Sequence, residues 1–200
     1  GERPDTVIAG FTITGGSSSA DGGGMYNYYS SPMVRHCVLR NNSAEYGGGM
    51  SNIASSPTVT NCIFRDNSAT EGGGIYNFDG SSPVMTNCTL TANTASEGCG
   101  MYNLDSGPVV TNCILWGNWG GTADEIFDSN STASITYCDI QGGYGGAGNI
   151  DLYPMFVDSI AGDLHLGWHS PCIDAGNNSA PAIPTTDMEG ASRILDGDEN

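Results

Sequence analysis

Gly72-Gly73-Gly74-Ile75-Tyr76-Asn77 is one of four copies of a glycine corner; the others are Gly22-Gly23-Gly24-Met25-Tyr26-Asn27, Gly47-Gly48-Gly49-Met50-Ser51-Asn52 and Gly98-Cys99-Gly100-Met101-Tyr102-Asn103. Between and beyond them run Cys37, Cys62, Cys88, Cys113 and Cys138, at steps of 25, 26, 25 and 25 residues. A spacing this regular makes each repeat one structural rung stacked on its neighbours, not part of a globule with a single closed core.

Aligning the rungs on the cysteines gives an apolar column Ile8, Val34, Val59, Met85, Val110, Ile135 and a second, Ile13, Leu39, Phe64, Leu90, Leu115, Ile140. Phe11 heads the cysteine column, and Met25, Met50, Ile75, Met101, Ile126 and Ile150 make a fourth. Asp163-Leu164-His165-Leu166 continues the pattern as a seventh rung. The segments are short and alternate with period two in places, which fits strands and excludes helices. Two or three such strands per rung predict an all-β fold, a parallel β-helix (β-solenoid) of about 6–7 coils of about 25 residues. It is expected to span 1–173, with 174–200 as a C-terminal extension.

Two polar columns repeat as well: Asn27, Asn52, Asn77, Asn103, Asp128, and Asn42, Asn67, Asn93, Asn118. Stacked amides can hydrogen-bond from coil to coil, and asparagine tolerates left-handed backbone, so both columns are expected at the corners. The glycine triplets are expected to supply positive-φ corners. Neighbouring parallel rungs lie about 4.8 Å apart, within disulfide reach, but stacked side chains point the same way. The cysteine column therefore reads as buried thiols packing as small hydrophobes, with Cys99 and Cys172 outside it, paired or free.

The 200 residues carry 22 acids against five arginines and no lysine, a formal net charge of −17. Such a surface repels nucleic acid and anionic membranes while leaving divalent cations and neutral glycans as partners. No apolar run of about 20 residues exists to span a bilayer. No basic segment leads into an apolar core at the start, so an export signal is expected to have been removed or to lie outside this sequence.

The pairing of Gly72-Gly73-Gly74-Ile75 with Phe64-Arg65-Asp66-Asn67 resembles the GGxI and FxxN repeats of polymorphic outer-membrane proteins and related bacterial surface β-helices. Other coils carry Leu39, Leu90 and Leu115 for the Phe, and Met for the Ile. Ser170-Pro171-Cys172-Ile173-Asp174-Ala175-Gly176, followed by Asp187 and Arg193 to Asp198, is similar to the tail of secreted bacterial right-handed β-helix proteins with a separate surface anchor. The resemblance implies a right-handed solenoid exported to the cell surface or beyond. It is permissive for role, since these families include adhesins and structural proteins, and the wider class includes polysaccharide lyases and hydrolases.

Strand alternation predicts an outward aromatic row of Tyr26, Tyr76, Tyr102 and Phe127, broken by Ser51, able to stack sugar rings or a second subunit. Arg40 and Arg65 share a ladder and form a small basic spot with Arg35. Asp21, Glu45, Glu71, Glu97 and Glu125 precede the glycine corners, once per coil. They read as a solvated edge or as a stripe for a divalent cation, with a carboxyl pair for glycoside hydrolysis a third reading. Asp196 and Asp198 resemble the start of a calcium loop, so no cofactor is required and calcium is the candidate ion. Glycosylation-type sequons lie at Asn41, Asn87, Asn130 and Asn177, and His36, His165 and His169 are dispersed. The leading expectation is a non-enzymatic extracellular or cell-surface structural or adhesive solenoid that self-associates. A carbohydrate-active or glycan-binding β-helix is the alternative.

Overall fold

Val84–Thr86, Asn87, Cys88 and Thr89–Thr91 show the folding unit: a three-residue strand, one left-handed residue at φ 56°, an inward cysteine and a second strand. Residues at φ > 0 recur at this corner as His36, Asn61, Asn87, Asn112 and Tyr137. A single αL residue reverses the inside-outside alternation and swings the chain onto a new face, which is why the corner needs so few residues. The structure, a computed structural model, describes residues 6–121, 124–180 and 183–192.

Stacking the unit makes three large parallel sheets, a two-stranded parallel sheet of Thr94–Ala95 and Trp119–Gly120, and about five turns. The first sheet contains Val7–Ala9, Met33–Arg35, Thr58–Thr60, Val84–Thr86, Val109–Thr111 and Ser134–Thr136. The second runs from Thr12–Thr14 through Val38–Arg40, Ile63–Arg65, Thr89–Thr91 and Ile114–Trp116 to Asp139–Ile140. The third stacks Met25–Tyr28, Met50–Ile53, Ile75–Phe78, Met101–Leu104 and Ile126–Ser129. The pairings reproduce the apolar columns, for example Val34↔Val59, Leu39↔Phe64 and Met50↔Ile75. Each fully buried Leu, Ile, Met or Phe contributes roughly 1.5–3 kcal/mol, so the interior columns dominate stability. No helix among the described residues is long and apolar enough to cross a membrane.

All seven cysteines are free thiols. The column is also a hydrogen-bond ladder: Cys62 Sγ donates to Val34 O at 3.6 Å, and the Cys88 and Cys113 N–H groups donate to the next sulfur at 3.3 Å. Burial pushes the Cys88 thiol well up, so it stays protonated. Phe11 keeps its register beside Cys37, its carbonyl accepting Val38 N–H at 2.9 Å, but its side chain is 60% exposed.

The asparagine columns lie in the interior, not at the left-handed corners. Asn27, Asn52, Asn77 and Asn103 each donate Nδ2–H to the next member at 2.8–2.9 Å, ending on Asp128 Oδ1. Asn42, Asn67, Asn93 and Asn118 do the same and end on the Glu125 carboxylate. A row of amides that all donate one way needs an acceptor at its end, and the carboxyl oxygens of Asp128 and Glu125 supply it. The cysteine ladder closes similarly, with Cys138 N–H donating to Asn149 Oδ1 at 3.0 Å. Asn149 sits in the loop after the last coil, whose Tyr144 hydroxyl donates to Asp128 Oδ2 at 2.6 Å. Three interior ladders therefore end on acceptors at the C-terminal end.

Burial raises the Glu125 carboxyl from its ordinary 4.5 to about 7. A raised carboxyl favours folding while protonated, so its contribution is full below pH 4.5 and lost as pH rises to about 7. Relative to Glu125→Gln, which keeps an acceptor for Asn118, the native chain should lose on the order of 2–3 kcal/mol between pH 5 and 8. Chemical denaturation of both proteins at the two pH values measures it; parallel behaviour would remove Glu125 as the titrating group.

Two expected extensions of the pattern are corrected. Asp163–Leu166 makes no seventh rung but pairs antiparallel with Phe156–Asp158. Ile150 does not join the Met25 column; it bridges Asp139 and exchanges main-chain bonds with Cys138 and Ile140. Coil stacking thus stops at Ile150.

Candidate functional site

The His36–Asn61–Asn87–Asn112–Tyr137 corner faces outward, and the segment after Ile150 folds back against it. Asn177 N–H donates to Asn112 Oδ1 at 2.8 Å, while Asn112 Nδ2 donates back to Asn177 O at 3.2 Å. Asn61 Nδ2 donates to Thr186 O at 2.9 Å. Between wall and tail lies a cleft of about 1050 Å³. Its floor carries Ile63, Thr89 and Ile114, and its lining includes Asp139, Asp163, Asp174, Asp187 and Glu189 with a single imidazole, His165.

Asp139 stands in register with Ile114 but is a buried acid. Its Oδ1 accepts Leu152 N–H at 3.1 Å and its Oδ2 accepts the Cys172 thiol at 3.0 Å. Burial raises the Asp139 carboxyl, and burial followed by the bond to Asp139 pushes Cys172 up to about 12. His165 Nδ1 contacts Asp163 Oδ1 at 2.5 Å and Nε2 lies 3.3 Å from Glu189 Oε2. The bonds to Asp163 and Glu189 raise its pKa. The cleft is thus rich in acceptors over an apolar floor, suited to ligands that donate hydrogen bonds or carry positive charge.

Of the residues singled out in the sequence, Asn87 and His165 line this cleft and the Arg65 guanidinium lies against its Gly162, whereas the aromatic row and the acid stripe lie elsewhere. The aromatic row is in register, but Tyr76 and Tyr102 are only 5% and 7% exposed, so the expected open platform is corrected. Their rings stack on one another at 5.4 Å, Phe127 continues the stack, and Tyr46 from the corner packs 5.2 Å from Tyr76. Tyr26 alone of the row's tyrosines stays open, beside exposed Tyr28 and Tyr29. Arg40 and Arg65 are register partners, with Arg65 held by Asp66 at 2.6 Å.

The acid stripe is also not continuous. Asp21, Tyr46, Glu71 and Glu97 bridge in register, so Tyr46 takes the place expected for Glu45, and Glu125 is inside as the ladder terminus. Burial, then the charges of Glu97 and Glu45, raises Glu71. Among the described residues no group of three or more His, Cys, Asp or Glu is placed to hold a metal ion. Asp196 and Asp198 lie outside the described residues, as do Arg3 and Arg193. Of the sequons, Asn87 is closed to glycan attachment because its amide is buried. Asn41 is exposed, Asn130 is exposed with its amide donating to Asp105, and Asn177 Oδ1 accepts Ser179 N–H.

The cleft was missed because the tail that roofs it does not repeat. Its trace in the sequence is the polar corner column itself, which ends in Tyr137 without an amide. No curated protein and no solved structure matches the chain. Residues 3–150 match the family described as a right handed beta helix region, and the described residues of that stretch wind into stacked coils. The chain therefore belongs to the right-handed β-helix family.

Proposed function

We propose that the protein is an extracellular or cell-surface structural or adhesive solenoid. The use of its outer-face residues in holding the coils together carries this reading: Tyr76 and Tyr102 stack on one another at 5.4 Å, Glu125 is buried as the end of an amide ladder, and Arg65 is paired with Asp66. The GGxI and FxxN resemblance supports the external location, and deep burial of the thiol column protects it in an oxidising medium.

Incubation of the whole chain with a panel of acidic and neutral polysaccharides should yield no new reducing ends and no unsaturated uronates. Turnover of any of them would overturn the reading.

A further inference from the structure

His165 joins two separate segments. Its Nδ1 lies 2.5 Å from Asp163 Oδ1 on its own strand, and its Nε2 lies 3.3 Å from Glu189 Oε2 on the loop 186–192. A neutral imidazole carries one N–H and one lone pair, so it can donate to only one of these carboxylates and turns its lone pair toward the other. The imidazolium alone satisfies both at once. The loop is a self-closed unit: Thr186 bridges Ser192, Asp187 N–H donates to Ala191 O at 3.0 Å, and Asp187 Oδ1 accepts the Glu189 and Ala191 N–H groups, each at 2.9 Å. Among the described residues, two polar contacts tie this unit to the rest of the molecule: Asn61 Nδ2 donates to the Thr186 carbonyl at 2.9 Å, and His165 meets Glu189. The closed tail also leaves the Asn87 amide, between the anchors at Asn61 and Asn112, buried with neither group met. An unmet buried amide is a cost of closure, which brings the closed and lifted arrangements near each other in free energy.

We propose that the loop 186–192 is a pH-sensitive strap over the asparagine corner, latched while His165 is an imidazolium and loosened when it is neutral. The other charged groups lining this cleft are acids: Asp163 on the histidine's own strand, Asp139 from the last coil, and Asp174, Asp187 and Glu189 from the tail. Arg65, against Gly162 at the tip of the hairpin, is already paired with Asp66. His165 is therefore the one group among the described lining residues that can place a positive charge between Asp163 and Glu189. The bonds to Asp163 and Glu189 raise its pKa, so latching is complete below the ordinary imidazole value of 6.5 and is lost as pH climbs past the raised one. Loss of the proton also leaves the carboxylates of Asp163, Asp187 and Glu189 with no cation among them, and their repulsion favours the lifted loop. Both ion pairs are largely exposed, so solvent screens them and the proton shifts a balance between two arrangements. The latch does not depend on the adhesive role.

The test is amide hydrogen exchange of the whole chain at about pH 5.5 and about pH 8.5, corrected for intrinsic rates. Protection of residues 186–192 should fall roughly threefold to tenfold between the two. Residues 109–116 in the coils are the reference: they report whether a variant is folded and carry any global change from Glu125. His165→Gln, which is never charged, should lower protection of the loop at the acidic pH and abolish its pH dependence. Glu189→Gln should abolish it as well, because a neutral amide no longer selects the imidazolium. Equal loop protection of the native chain at both pH values, or a pH dependence that survives in either variant, would overturn the proposal.

Discussion

Gly73→Ala should destabilise the solenoid by about 4 kcal/mol or more, far beyond what loss of a glycine usually costs. A Cβ at Gly73 would stand 2.6 Å from both the Cys99 and Thr94 carbonyl oxygens. Those oxygens belong to the next coil and already accept Gly74 N–H at 3.1 Å and Ala69 N–H at 2.9 Å. Relief of the clash must therefore separate the coils and stretch the bonds that join them. Gly80→Ala is the control: Gly80 has φ +74° with nothing within 4 Å of the added atom, so only backbone strain of about 1 kcal/mol is expected. Urea midpoints compare the two, and hydrogen exchange should accelerate along residues 69–75 and 94–101 in Gly73→Ala alone. Equal midpoints would mean the second glycine of the triplet serves conformation, not close approach.

That contrast marks what the sequence could and could not reveal. The triplets read as positive-φ corners, yet only Gly22, Gly47, Gly72 and Gly98 have positive φ, while the second glycine makes room for the coil above. Both requirements write the same letter. The apolar columns were legible because each environment is sampled once per coil, and Val34, Val59 and Val110 are all fully buried. Alternation correctly placed Tyr76 and Tyr102 on the outer face but could not foresee their cover. Tyr46, one residue out of step with the acid pattern, covers Tyr76, and Tyr102 is stacked between Tyr76 and Phe127. Asp163–Leu166 alternates like a coil strand, but a partner a few residues upstream costs less loop-closure entropy than one a full coil away, so a local hairpin wins. The cleft was least legible, because an unrepeated tail offers no column for comparison.

The interior ladders make position along the solenoid count, and Asn77→Ala should show this most clearly. Asn77 accepts from Asn52 at 2.9 Å and donates to Asn103 at 2.8 Å, and all three residues are fully buried. Alanine would leave the Asn52 N–H without its acceptor and the Asn103 oxygen without its donor, where no water can replace them. Each orphaned group costs about 1–3 kcal/mol, so roughly 2–6 kcal/mol is expected. A domain of ordinary stability holds only about 5–15 kcal/mol in total. Asn27→Ala, at the first member of the same ladder, removes only the donor to Asn52 Oδ1 and should cost less than half as much. If the two substitutions shift the denaturation midpoint equally, the amides act as independent fillers. A larger shift at Asn77 would show a directed chain that relies on Asp128 to receive its last proton donor, which makes the carboxylate end of the ladder as necessary as its middle.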